Sequence, residues 1–183
     1  MARLPTPRRD DLSPENQPIY DAIAASRGGS IRGPFTLLLH SPQLAGRVAH
    51  VGSYIRFESP VPLAFRCLAA LVTARELDCA FEWAGWVPQG LDAGLSQATI
   101  DAVREGATPP ELPADDALVI SAGRQLFQGK HRLSEEDFRA LIDRFGVQGA
   151  VDLTGTFGYF AMLAMTLNAY EVDVPPGGAV LPV

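Results

Sequence analysis

The chain has 183 residues, 47% of them hydrophobic, which suits one globular domain with a sizeable core and would cramp a second full domain. A formal charge of −6, a pI near 5.0 and a single lysine, Lys130, give no basic footprint. That excludes nucleic acid and anionic membrane surfaces as expected partners and favours a small neutral or organic ligand. Cys67 and Cys79 make no secreted disulfide framework, and no charged-then-apolar leader opens the chain, so the expected compartment is the cytoplasm.

Helix signals run through the sequence and strand signals are nearly absent. Ser13-Pro14 and Ser41-Pro42 each put an N-cap residue before a proline at the first helical position, where a missing N–H costs nothing. The first predicted helix passes through Tyr20 and Ile23 and stops at Gly28-Gly29; the second carries Leu44, Val48, Val51 and Ile55 at helical spacing and ends before Pro60. A loop, Ser30 to His40, is expected between them. A long helix is predicted from about Pro62 to Val87, broken by Pro88, and a short one after Ser96.

Asp115 to Phe127 reads as a fifth helix. Ser134-Glu135-Glu136-Asp137 resembles a capping box and opens a helix through Phe145 that Gly146 ends. The last helix covers roughly Gln148 to Tyr170, followed by a tail of Pro175, Pro176 and two glycines with little reason to fold alone. Within that helix Leu153 to Tyr170 is uncharged for 18 residues, long enough to raise the question of a membrane span. Its threonines, asparagine and glycines, and the lack of flanking basic anchors, favour a helix buried in a bundle or an oligomer. The linker at Thr108-Pro109-Pro110 divides a helical half at about 13–107 from one at about 111–172.

The chemistry gathers in residues 74–86. On one continuous helix Arg75, Cys79, Glu82 and Trp86 fall at offsets 0, 4, 7 and 11 and share a face, so a cation, a thiol, a carboxylate and an indole would meet. Apolar sequence on both sides implies that not all of these charges are in water.

Three blocks carry a resemblance. Gly33-Pro34-Phe35 with Leu39-His40-Ser41-Pro42, the run from Arg75 to Trp86, and Gly158-Tyr159-Phe160 with Met165 to Val172 are together similar to a carboxymuconolactone decarboxylase-type protein of the alkylhydroperoxidase-D-like superfamily. The resemblance spans most of residues 33–174. It implies an all-α helical bundle, an obligate homo-oligomer (often trimer or hexamer), and a cofactor-free pocket near subunit contacts.

The departures sharpen the expectation. The peroxidase branch carries a Glu, a Cys-x-x-Cys pair and a His where this chain has Cys67, Cys79, Glu82 and Trp86, so the second thiol is missing. Twelve residues of helix would hold Cys67 about 18 Å from Cys79, beyond disulfide reach. The decarboxylase-type branch commonly reads Tyr-Glu-Trp with a His three residues later; here it is Phe81-Glu82-Trp83 and then Trp86. Glu82 is retained and the histidine is gone. A carboxylate among aromatic side chains can still move a proton if desolvation raises its pKa toward neutrality.

The candidate catalytic residues are therefore Glu82, His40, Arg75 and Cys79, and the candidate substrate-binding residues Trp86, Tyr159 and Phe35. Each reactive candidate has a plainer reading: Glu82 as a structural partner of Arg75, Cys79 as a small buried residue without an adjoining base, His40 as a loop cap, Trp86 and Tyr159 as packing. His50 and His131 read as ordinary surface residues. No metal site is expected, because neither His-x-x-His nor Glu-x-x-His occurs. Three functions fit: a cofactor-independent lyase or isomerase acting on a small unsaturated acid or lactone with Glu82 as proton shuttle, a non-catalytic oligomeric binding protein, or a one-cysteine peroxidase using Cys79.

Overall fold

The computed structural model describes residues 2–174 and 176–182. It is all-α, with no strand among the described residues. The order is a 3₁₀ turn at Arg9–Asp11, then α1 (Gln17–Ala25), α2 (Phe35–Leu38), α3 (Pro42–Ser53), a π-helical turn at Tyr54–Glu58, α4 (Leu63–Glu76), α5 (Ala80–Asp92), α6 (Gln97–Arg104), α7 (Ala114–Phe127) and α8 (Glu135–Ala169). The centre is α4. From Cys67 to Ala74 every residue is buried, and the helix packs against α5, α7 and α8. Its one polar residue there, Thr73, donates its hydroxyl back to the Ala69 carbonyl at 2.8 Å, which removes the cost of burying it.

Several predicted elements shift. The first helix begins at Gln17, because Ser13 to Asn16 close a turn in which the Asn16 amide donates to the Ser13 carbonyl at 2.8 Å. The loop at 30–40 contains α2, whose single turn buries Phe35, Leu37 and Leu38. Pro88 does not break its helix: α5 continues to Asp92, where buried Gly90 comes so close to α4 that a Cβ would lie 3.4 Å from Leu71. That packing offsets the single backbone hydrogen bond a proline removes.

The largest correction lies between α4 and α5, where one continuous helix was expected. Asp78 adopts a left-handed φ of 48°, and the Cys79 amide donates to the Ala74 carbonyl at 2.7 Å. This is a C-terminal cap of Schellman form with aspartate in the place glycine usually takes. The chain turns there and α5 starts afresh with Cys79 as its N-cap.

Gly146 does interrupt α8, with φ 69° and ψ 172°, a conformation open to glycine and closed to other residues. The second segment of α8 supplies Leu153, Phe157, Tyr159, Phe160 and Leu163 to the core. Ser134 caps the first segment by accepting from the Asp137 amide at 3.1 Å, while the Asp137 carboxylate turns away to Ser121, so the box is half made. By length and composition α8 could cross a membrane, and 56% of its most apolar stretch is buried within the protein. In the tail Leu181 is buried in the core, and Pro175 lies outside the described residues.

Candidate functional site

A cavity of about 520 Å³ opens where the ends of α1 and α2, the π-helical turn, α5 and α8 converge. Its size is that of a small-molecule site. On α5, Glu82 and Trp86 lie one turn apart and both face it. Glu82 is only 6% exposed. Its Oε2 accepts a hydrogen bond from the Trp86 indole N–H at 2.7 Å.

Burial raises the pKa of Glu82 to about 7, against the smaller downward pull of the Trp86 hydrogen bond and the Arg56 charge. A carboxyl group with that pKa exchanges its proton near neutrality, the condition for a general acid or base. Around it stand aromatic rings. Trp86 meets Phe160 edge to face at 4.9 Å between centroids, and Phe160 meets Tyr159 in the same way at 5.2 Å. Burial also pushes the Tyr159 phenol upward, with the neighbouring Arg27 charge opposing it, so Tyr159 enters the site as a hydroxyl donor.

Tyr159 reaches this position because α3 has no side chain in its way. A Cβ on Gly52 would lie 2.2 Å from the Tyr159 hydroxyl. Phe35 lines the cavity from α2, with the Arg27 guanidinium 3.8 Å above its ring. Four of the candidates read from sequence therefore meet here: Glu82, Trp86, Tyr159 and Phe35.

Three do not. The turn at Asp78 removes Arg75 from the Glu82 face, and Arg75 pairs instead with Asp78 at 2.7 Å on the surface. Cys79 is fully buried in a small cluster with Ala164 and Leu167, and burial raises its pKa to about 11. Cys67 sits in the main core with its Sγ toward the Gln89 carbonyl, and burial raises its pKa too. His40 lines a separate cleft and holds the N-terminal segment through its Nε2, 2.8 Å from the Pro5 carbonyl oxygen. Trp83, beside Glu82 in the sequence, is buried in the core.

Sequence reasoning missed three cations that line the cavity: Arg27 from just past α1, Arg32 from the loop before α2, and Arg56 from the π-helical turn. The Arg56 guanidinium lies 5.6 Å from the Trp86 ring. The one hint was an arginine beside Phe57 in a stretch that otherwise reads as the end of an amphipathic helix. Among the described residues no group of three or more His, Cys, Asp or Glu is placed to hold a metal ion.

The fold has known counterparts. An uncharacterized peroxidase-related protein with an alkylhydroperoxidase AhpD core, from Ralstonia eutropha JMP134, superposes with a TM-score of 0.78 at 15% identity, over 96% of this chain and 93% of that one. An uncharacterized peroxidase-related protein from Silicibacter sp. TM1040 superposes with a TM-score of 0.75 at 14% identity, over 96% and 92% of the two chains. The chain thus has an AhpD-like fold. No family model matches the sequence. No curated protein matches it either.

Proposed function

We propose that this chain is a proton-transfer enzyme of the carboxymuconolactone decarboxylase type, a lyase or isomerase acting on a small unsaturated acid or lactone, with Glu82 as the proton shuttle. The observation that carries the reading is a buried carboxyl with a pKa of about 7 on the wall of a cavity of ligand size. In an isomerisation, the Glu82 carboxylate takes a proton from the carbon next to a carbonyl, leaving an enolate, and returns it to the far end of the conjugated system. In a decarboxylation, the electrons of the breaking C–C bond pass into the enolate as CO₂ leaves, protonated Glu82 delivers its proton to carbon, and solvent restores it. Either way the Trp86 N–H fixes the carboxyl and Tyr159 can donate to the developing oxyanion. The enzyme is proposed to work as a cytoplasmic homo-oligomer, consistent with the exposed Val147, Val151 and Met165 on α8.

A peroxidase reading is suggested by the description of the structural neighbours. It would need an accessible, ionised thiol, and Cys79 is neither. A purely binding role would use the same cavity without the proton. The test is turnover of a panel of lactones and β-keto or unsaturated acids by the wild type and by Glu82→Gln. Loss of roughly 10²–10⁴ in rate is expected for removing a general acid or base. Undiminished turnover by the variant, or no turnover of any panel member by the wild type, would refute the proposal.

A further inference from the structure

We infer that Arg27 and Arg56 form a two-guanidinium subsite that holds the carboxylate of a flat, conjugated or aromatic acid, with its body among Phe81, Trp86 and Phe160, so that the ligand is an anion rather than a neutral lactone. The inference rests on the cavity being the reaction site proposed above and narrows its substrate. The charge pattern leads to it. In a chain of net charge −6 this cavity is lined by three arginines, Arg27, Arg32 and Arg56, and a single acid, Glu82.

Elsewhere Arg8, Arg9, Arg104, Arg139 and Arg144 each have a carboxylate partner, while Arg47 and Arg66 bond to Gln43 and to the Ile55 carbonyl. Among the described residues no carboxylate pairs with Arg27 or Arg56, although the two are close enough for the Arg56 charge to disfavour that on Arg27. Arg32, at the rim, is tied to the Ser30 hydroxyl at 2.6 Å. Two like charges gathered in one cavity cost free energy that a bound anion recovers.

Packing holds the Arg27 side chain, and the fold holds the backbone from which the more exposed Arg56 reaches the cavity. Arg27 is half buried and stacked on Phe35, which occupies the face of its guanidinium; the Tyr159 hydroxyl engages one side of the fork, and the remaining in-plane N–H groups are left for a carboxylate. Arg56 stands on the π-helical turn, where the Ser59 amide donates to the Tyr54 carbonyl at 2.9 Å across five residues. Such turns often occur at functional sites. Its ends are pinned to α8, since the Tyr54 and Ser59 hydroxyls both donate to Asp152 Oδ2 at 2.9 Å, and α4 holds it too through Arg66, which donates to the Ile55 carbonyl at 2.6 Å. A neutral lactone would leave Arg27 without an anionic partner and Arg56 with only the Glu82 charge. A planar acid satisfies them at one end and the aromatic walls at the other.

The experiment is calorimetric titration of the whole protein with benzoate and with benzamide, which has the same shape and no charge, at neutral pH. Benzoate is expected to bind tenfold or more tighter than benzamide. Arg27→Gln and Arg56→Gln should each weaken benzoate by roughly tenfold, as for loss of a charge-assisted hydrogen bond, with little change in the benzamide isotherm. Should Arg27→Gln fail to fold, Arg27→Lys, which keeps the charge and loses the fork, should give an intermediate loss. Equal affinity for the two compounds, no saturable benzoate binding, or benzoate binding unmoved in the variants would overturn the inference. Glu82→Gln should bind benzoate at least as well as wild type, so failure of the proton shuttle and failure of the anion subsite show up in different measurements.

Discussion

Glu82→Gln makes a prediction about stability that is independent of any substrate. The Glu82 carboxyl titrates near its ordinary 4.5 in the unfolded chain and at about 7 in the folded one, chiefly because burial penalises its charge. Below pH 4.5 both states are protonated and the residue costs nothing relative to glutamine. Between 4.5 and 7 the unfolded chain releases its proton while the folded one keeps it, so rising pH favours unfolding. Above 7 both are ionised and the penalty levels off. The difference of about 2.5 units corresponds to about 3 kcal/mol. Glutamine keeps an oxygen for the Trp86 N–H and carries no charge. The variant should therefore match wild type at pH 4 and exceed it at pH 8 by about 3 kcal/mol, roughly 6–12 °C in Tm for a domain of this size. Thermal and urea unfolding of both proteins across this pH range reads the difference directly. A difference that stays flat with pH, or a variant less stable at pH 8, would mean that Glu82 is a paired structural carboxylate after all.

Other consequences follow from the same geometry. Gly52→Ala puts a methyl group 2.2 Å from the Tyr159 hydroxyl and 2.8 Å from its ring carbon; a stability loss of about 1–3 kcal/mol is expected, and adding Tyr159→Phe should recover part of it in a double-mutant cycle. Native protein at pH 8 should react with thiol reagents only as fast as it unfolds, and Cys79→Ala should leave turnover largely intact; rapid labelling of Cys79, or an order-of-magnitude loss of turnover, would restore the peroxidase reading. Light scattering should return a homo-oligomer, and Val151→Asp, in the apolar groove of about 720 Å³ between Phe138, Val147 and Val151 on α8, should dissociate it; a wild-type monomer at micromolar concentration would contradict the proposed assembly.

How far the sequence could be read depended on which device ended each helix. Gly146 and Ser134 are common punctuation, and both act in the structure as their residue types imply. Asp78 is not: aspartate reaches the left-handed region at some cost, so the pattern of Arg75, Cys79, Glu82 and Trp86 looked like one stripe although the chain turns in its middle. The Glu82 and Trp86 contact was legible because it lies within one turn of a single helix. Arg27 and Arg56 were not, because their meeting depends on the end of α1 and on a π-helical turn coming together over α5, and no spacing in one segment encodes that.

The turn at Asp78 also separates two chemistries that a continuous helix would have combined. By ending α4 there, the chain makes Cys79 an N-cap whose side chain drops into a dry cluster with Ala164 and Leu167, while the next turn of α5 delivers Glu82 to the cavity. Both groups are desolvated, and in both the neutral form is favoured. The outcomes differ by where the resulting pKa lies relative to neutrality. A thiol raised to about 11 is inert, whereas a carboxyl raised to about 7 is poised to exchange its proton. Burial thus removes the cysteine from chemistry and fits the glutamate for it.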